Sequence, residues 1–479
     1  MSVAPGARAW DSDDDDDADV REDEYAAADD ALAPEETCAR IERLAVAHAR
    51  ALLLPPSPPS PPSRERATRD AAAVEFAIRD VRAAVYAPGA GADAGAYRLP
   101  ANAATTCVRL HDARRCASSS SSSSSLASLT SPSPPAAISR RPAAYARLWK
   151  LLATVHHHLS ERRAITQRAL YYLLCARHPK LFPPGRARLV AAALRDAVTL
   201  LNCTRAAMGV TSASRGQVAG RVAILTPEDG VWRDFSDASA HFVVPGDVRA
   251  VERARLRSDA RFVLIVEKDA AFDKLCRERI HARVPCVLVT AKGFPDLATR
   301  AFLKKFASEF PRVPMLALVD WNPSGLLILR TYRAGSGGGA LEASRYALDV
   351  KWLGVRRADL ERVDARARQP LTELDKAKIK NMLAAETGTG EGGNAQLSQR
   401  SSQTAGPASQ APTQSQQSHS QSPSASTPSR DSASQASELR AMLESGMKAE
   451  IESLYPEADG GVFTLSEFVV SKYLRGDYF

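Results

Sequence analysis

The stretch from Phe262 to Tyr332 narrows the choice of fold more than any other part of this 479-residue chain. Three short apolar runs, Phe262–Val266, Cys286–Val289 and Met315–Val319, alternate with three helical patterns, Ala270–Ile280, Pro295–Phe310 and Leu326–Tyr332. A run that is apolar at every position, rather than every second one, is what a parallel strand covered on both faces requires. Pro295 suits a helix start, where a missing N–H leaves no intrahelical bond unmade. A β-α-β-α-β-α series with right-handed crossovers predicts an α/β domain built on a doubly wound parallel sheet.

Upstream, three helical patterns come in succession: Ala143–Leu159, Thr166–His178 and Arg186–Leu201. Met208–Leu225 then reads as strand, tight loop and strand. Three helices followed by a β-ribbon is the winged-helix order, an α+β variant of the helix-turn-helix used mostly on DNA. An arbitrary small α+β domain fits the pattern equally well. The first 138 residues hold the Asp13–Asp17 run, the Pro-Ser repeat Pro55–Ser63 and the polyserine tract Ser118–Ser125. Such compositions bury too little apolar surface to offset chain entropy, so little order is expected there. Cys38–Leu54 and Ala67–Tyr86, with apolar residues at helical spacing, are the exceptions. A second biased tract, Thr387–Ala436, separates the helical patterns Thr372–Ala385 and Ser437–Leu454 and reads as an insertion within a domain. The expected division is therefore 1–138, 139–250 and 251–479, the last interrupted at about 387–436.

Charge is unevenly placed. Asp11–Glu36 carries fourteen acidic residues; set against Arg8 and Arg21 this leaves −12, so the remainder must carry +20 to reach the overall +8. A basic remainder suits a polyanionic partner, although a mildly basic surface also serves solubility. The seven cysteines form no CxxC pair and are odd in number, which argues against a disulfide framework or a thiolate zinc site. No apolar run approaches the roughly 20 residues of a membrane span. The acidic N-terminus lacks the features of a signal peptide, so a soluble intracellular protein without membrane contact is expected.

Open α/β sheets carry their sites beyond the carboxyl ends of the strands. Here the three strands run into Glu267-Lys268-Asp269, Lys292-Gly293 and Asp320-Trp321-Asn322. If the first and third are neighbours, Glu267 and Asp320 converge, and two carboxylates suit Mg²⁺, which takes hard oxygen ligands and often bridges to phosphate. A single acid at a strand end is more often a helix cap or a solvated turn, and Asp269 is read first as the cap of the helix behind it. No P-loop or GxGxxG follows these strands, so any ATP would have to be bound by another chain. His156, His157 and His158 point in different directions along a helix and are read as its polar end.

A second candidate lies on the middle helix of the upstream trio, in Gln167-Arg168-Ala169-Leu170-Tyr171-Tyr172. Arg168 precedes the two tyrosines by three and four residues, so its guanidinium reaches either hydroxyl. A cation there favours a phenolate and neutralises charge on a phosphate in transfer. Tyrosines on a Leu-rich helix are more often packing material. The two point about 100° apart, so at most one faces the core, and spacing does not say which.

At these residues the chain resembles the family that unites the topoisomerase VI A protein with the meiotic double-strand-break transesterase. The family motif, an Arg followed three and four residues on by Tyr or Phe and then the nucleophilic Tyr, matches Arg168, Tyr171 and Tyr172, although Ala169 replaces a common acidic residue. Phe262–Ala270 resembles the first metal-binding segment of the Toprim fold, Ala291–Arg300 the following segment, and Leu318–Gly325 the Asp-x-Asp-Pro-x-Gly motif, with Asn322 in place of the second Asp. The resemblance implies a winged-helix domain of the CAP-like type ahead of a Toprim domain. It implies that Tyr172 attacks a phosphodiester of double-stranded DNA to give a 5′-phosphotyrosyl link, that Arg168 stabilises the transferred phosphate, and that Mg²⁺ sits on Glu267, Asp320 and, more weakly, Asn322. It further implies a homodimer, or a heterodimer with a related A-type protein. A topoisomerase VI B-like partner would supply any ATPase, and the work would take place in the nucleus. Lys292, Arg300, Lys304 and Lys305 are candidate phosphate contacts, a solvated helix face being the alternative for the lysines. A non-catalytic DNA-binding scaffold, or a Toprim nuclease without a covalent intermediate, stands against this reading; neither needs Tyr172.

Overall fold

The computed structural model describes residues 33–53, 75–79, 85–86, 97–98, 105–109, 142–237, 239–335, 345–362, 367–386, 430–455 and 464–479. Two apolar cores organise them, one running to Val210 and the other beginning at Val218.

The first core belongs to four helices: α1 (Pro34–Leu53), α2 (Pro142–Ser160), α3 (Gln167–Arg177) and α4 (Ala187–Leu201). Helix α2 buries Leu148, Leu151, Leu152, Val155 and Leu159, an i, i+3, i+4, i+7 stripe, against Leu170 and Leu174 of α3 and Val190, Leu194 and Val198 of α4. Helix α1 adds Ile41. Its Arg40 donates to the carbonyls of Leu201 (2.7 Å) and Asn202 (3.0 Å), groups left without intrahelical partners at the end of α4. Helix α1 thus bears out the helical reading of Cys38–Leu54. Of Ala67–Tyr86 only 75–79 and 85–86 are among the described residues, and these are strands rather than the expected helix. Glu75–Arg79 is a strand paired antiparallel with Thr105–Arg109, and Val85–Tyr86 pairs with Tyr97–Arg98, so long-range pairing overrides local spacing.

The expected β-ribbon of Met208–Leu225 is also redistributed. Val210–Thr211 pairs parallel with Ile165–Thr166, just ahead of α3. The next strand, β1 (Gln217–Gly220), leaves for the large sheet, while Ala223–Leu225 joins a three-stranded sheet with Trp232–Asp234 and Arg255–Arg257. Val218, Ala219 and Gly220 are all buried, and a strand covered on both faces has to enter a sheet interior.

The large sheet adds β2 (Phe242–Val243), β3 (Phe262–Val266), β4 (Cys286–Thr290), β5 (Met315–Leu318) and β6 (Val350–Gly354), in the order β2-β1-β4-β3-β5-β6. The neighbours β4-β3-β5-β6 are parallel and β1 and β2 are antiparallel, so the parallel sheet expected from the sequence carries an antiparallel edge. The chain leaves β3 for β4 on one side and then crosses to β5 on the other. The gap between the carboxyl ends of β3 and β5 is therefore the topological switch point, where α/β sheets hold ligands.

Helices α5 (Asp269–Arg277), α6 (Leu297–Glu309) and α7 (Pro323–Ala334) connect the strands. On either side of the biased tract, α8 (Glu373–Glu386) and α9 (Arg430–Ser445) bury Ile379, Met382, Leu439 and Met442 in the same core. The helices on either side of the tract thus share one core; α9 begins earlier than Ser437 and ends at Ser445, and residues 387–429 lie outside the described residues. Met447–Lys448 and the turn Ile451–Leu454 take the place of its expected continuation. Helix α10 (Leu465–Leu474) closes the domain, with Lys472 buried against both carboxylate oxygens of buried Asp359, at 2.9 and 2.8 Å.

Removing one partner of a buried ion pair leaves the other charge without compensation. Asp359→Ala leaves the Lys472 ammonium with Asp477, 3.3 Å away, as its remaining carboxylate among the described residues, and is expected to destabilise the protein by about 3 kcal/mol, checked by denaturant melts.

Candidate active site

Glu267 follows the last residue of β3 and Asp320 lies two residues beyond β5, so the two carboxylates flank the switch point. They meet: the Asp320 N–H donates to Glu267 Oε2 at 2.9 Å. Both are buried, at 9% and 3% exposure. Burial, then the nearby Asp320 charge, pushes the Glu267 carboxyl up to about 7. Burial raises Asp320 as well. Two acceptor-only groups that oppose each other's ionisation suit a hard divalent cation that keeps waters and uses few protein ligands, as Mg²⁺ does. Among the described residues no set of three or more His, Cys, Asp or Glu side chains is placed to hold a metal, so the fold presents a carboxylate pair rather than a cage.

The turn after β5 fixes this pair. Asn322 caps α7, its Oδ1 accepting from the Gly325 N–H (2.8 Å), while its Nδ2 donates to Asp320 Oδ2 (3.3 Å). The Asn322 oxygen that would ligate a cation is thus engaged in the cap, and the side chain orients Asp320. Gly325 has to be glycine, because a Cβ there would lie 2.4 Å from the Asp320 carbonyl oxygen. Trp321, fully buried, donates from Nε1 to Glu438 of α9 (2.7 Å). Its backbone pairs in both directions with Ala449.

That pairing brings in residues the sequence reading missed. The Ile451 N–H donates to Asp320 Oδ1 at 2.8 Å. Lys268 reaches Asp320 Oδ2 (3.3 Å), Glu450 Oε2 (3.0 Å) and Glu452 Oε2. Burial lowers the Lys268 pKa, but these carboxylates outweigh it and the net shift is upward. No local signal marks Glu450 and Glu452; they lie more than 180 residues from Lys268.

On α3, Thr166 caps the helix by accepting from the Ala169 N–H (3.1 Å), and Leu170 and Leu174 anchor it in the first core. The structure separates the two tyrosines. Tyr171 is half-buried and accepts from the Gly185 N–H (2.8 Å), tying the loop before α4 to α3. Tyr172 is 54% exposed, and Arg168 Nε donates to its hydroxyl at 3.2 Å.

The four candidate phosphate contacts fare differently. Arg300 is buried at 4% exposure, with its guanidinium on the Tyr346 carbonyl (2.7 Å), so the surface role expected for it gives way to a structural one. Lys305 is largely covered and bonds the Glu252 carbonyl (3.1 Å) and Glu309 (2.7 Å). Lys304 and Lys292 are exposed, Lys304 donating to the Ala347 carbonyl and Lys292 pairing with Asp269 at 2.9 Å. Asp269 therefore pairs with the neighbouring loop instead of capping α5, where no side-chain cap bond forms.

Two family models match the chain: that of the Type IIB DNA topoisomerase over residues 143–210, and that of the Toprim domain of the topoisomerase 6 A-type/Spo11 proteins over 262–403. Meiotic recombination protein SPO11-2 of Oryza sativa subsp. japonica is 35% identical over 336 residues, covering 70% of this chain and 74% of that protein. The chain belongs to the Spo11/topoisomerase 6 A family. SPO11-2 of Arabidopsis thaliana is 33% identical over 335 residues, 70% of this chain and 75% of the relative. The A-type component of DNA topoisomerase 6 from Arabidopsis thaliana is 37% identical over 238 residues, 49% of this chain and 53% of the relative. The first model covers α2 to α4 and the second takes in both carboxylates of the switch point, so both halves of the candidate site lie within family-matched sequence.

Two outcomes test this geometry. Because folding raises the Glu267 pKa, its protonated form stabilises the metal-free protein fully below about pH 4.5, and that contribution is lost as pH rises towards 7. Glu267→Gln keeps an acceptor for the Asp320 N–H, so in chelator it should be more stable than wild type at pH 8, by at most about 3 kcal/mol, with no gain at pH 4. Gly325→Ala should displace the Asp320 turn and destabilise the protein by about 2 kcal/mol or more, as read from thermal melts.

Proposed function

We propose that this chain makes DNA double-strand breaks by tyrosine transesterification and so initiates meiotic recombination. One observation carries the reading: of two adjacent tyrosines, Tyr171 is tied into the fold and Tyr172 stands exposed with a guanidinium on its hydroxyl. A scaffold has no use for that difference, and a Toprim nuclease has no use for the tyrosine. The names of the relatives, meiotic recombination proteins and a topoisomerase component, support the same assignment.

In this reading the Tyr172 oxygen attacks phosphorus, the bond from phosphorus to the 3′ oxygen breaks, and the phosphate stays on the 5′ end as a phosphotyrosine. The tyrosine proton is lost and the departing 3′ oxygen gains one. Bond energy is conserved in the link, so no nucleotide is consumed by the step. Arg168 steadies the tyrosine hydroxyl and the negative charge that spreads over the phosphate oxygens. Glu267 and Asp320 would hold Mg²⁺, with Asn322 orienting Asp320; the bound ion supplies charge neutralisation at phosphate oxygens. Tyr172 belongs to the first core's helices and the carboxylates to the second core's sheet. This division suits a dimer, either homodimeric or with a related A-type protein, in which one protomer's tyrosine works beside its partner's carboxylates. Exposed Lys292 and Lys304 would add phosphate contacts along the duplex. Any ATPase would come from a topoisomerase VI B-like partner, and the work would take place in the nucleus, on chromosomal DNA.

Covalent protein–DNA adducts recovered from cells in meiosis should be abolished by Tyr172→Phe and persist with Tyr171→Phe. Unchanged adducts in the Tyr172→Phe protein would remove that residue from the role. Arg168→Ala should lower adduct yield by roughly 10²-fold or more without unfolding the protein, since Arg168 is exposed.

A further inference from the structure

Resting on the reading of Glu267 and Asp320 as metal ligands, we infer that Lys268 is a built-in counter-ion of the carboxylate site. It competes with the divalent cation for Asp320, and Glu450 and Glu452 draw it away. The two oxygens of Asp320 are differently engaged. Oδ1 accepts from the Ile451 N–H, whereas Oδ2 faces the Lys268 ammonium at 3.3 Å and the Asn322 amide, also at 3.3 Å. Both oxygens are thus engaged, and a divalent ion that ligates Asp320 comes to a carboxylate that already contacts a cation. Two positive charges on one carboxylate repel strongly where water is scarce, and Asp320 is 3% exposed.

Lys268 does not depend on Asp320 alone. Its ammonium is shared with Glu450 Oε2 at 3.0 Å and with Glu452 Oε2, both closer than Asp320. A divalent ion arriving at Asp320 would displace an ammonium that keeps two carboxylate partners, so the exchange strands no buried charge. Those partners are held in place by the backbone pairing of Trp321 with Ala449 and by the Ile451 N–H on Asp320. The C-terminal segment 449–452 thus sets how readily the site loads. Lys268 and the two glutamates are positioning residues that tune the site through Asp320.

The test is the binding of Mn²⁺ to the full-length chain, followed by the electron paramagnetic resonance signal of the free ion, with no DNA present. Lys268→Met keeps the stem and removes the charge, and should bind Mn²⁺ about tenfold more tightly than wild type. Glu450→Gln with Glu452→Gln leaves the ammonium to Asp320 and should weaken binding by a similar factor. In the Lys268→Met background the same pair of glutamine substitutions should have much less effect, because the glutamates act through the lysine. Lys268→Met binding no tighter than wild type would overturn the inference. Equal weakening by the glutamine pair in both backgrounds would also overturn it, by making the glutamates direct ligands. Should Lys268→Met fail to fold by circular dichroism, the glutamine pair decides, and unchanged affinity there is fatal. Failure of the metal reading itself looks different: wild-type Mn²⁺ binding that is absent, or that survives Asp320→Asn, removes the site rather than its counter-ion.

Discussion

Two carboxylates forced together at the carboxyl ends of two central strands set the terms for the rest of this molecule. Glu267 and Asp320 occupy the gap where the chain reverses its direction of travel across the sheet, and the hydrogen bond from the Asp320 N–H to Glu267 holds them there. Neither is free to take up its charge in isolation, because both are buried and close together. The surroundings answer that stress with donors: the Ile451 amide, the Asn322 amide and the Lys268 ammonium all converge on Asp320. Trp321 and Gly325 then make sense as the packing that keeps the turn closed, one by filling the space beneath it and the other by leaving room for the Asp320 carbonyl.

The tyrosine half of the site obeys a different physics. Helix α3 is anchored by Leu170 and Leu174, and its outward face carries Arg168 and Tyr172. In the proposed reaction the nucleophile has to stand clear of its own core to reach duplex DNA, and Tyr172 is exposed. Tyr171 is instead half-buried and bonded to the Gly185 N–H. The two halves belong to separate cores, which permits a tyrosine from one protomer to meet carboxylates from another.

Much of this was legible in the sequence, for identifiable reasons. The strands β3, β4 and β5 are apolar at nearly every position, a pattern few other arrangements tolerate, and their ends pointed to Glu267 and Asp320. Helices α2 to α4 were legible from their 3.6-residue periodicity. The redistributed β-ribbon was not, because Gln217–Gly220 is a short strand whose burial depends on β4, a neighbour far along the chain. Glu75–Arg79 misled for the same reason, its partner being Thr105–Arg109. Arg300 was read as a surface cation because residue type alone does not reveal that the Tyr346 carbonyl waits to receive it. Lys268 stood in plain view, but its partners Glu450 and Glu452 return from far along the chain, and only the fold brings them together.

The account stands on which oxygen attacks the DNA. Covalent complexes purified from meiotic cells, digested with nuclease and protease and sequenced by mass spectrometry, locate the nucleotide remnant on a single side chain. The account predicts a 5′-phosphate remnant on Tyr172, in the peptide that also holds Tyr171. A remnant on Tyr171, on another residue, or attached through a 3′-phosphate would contradict it.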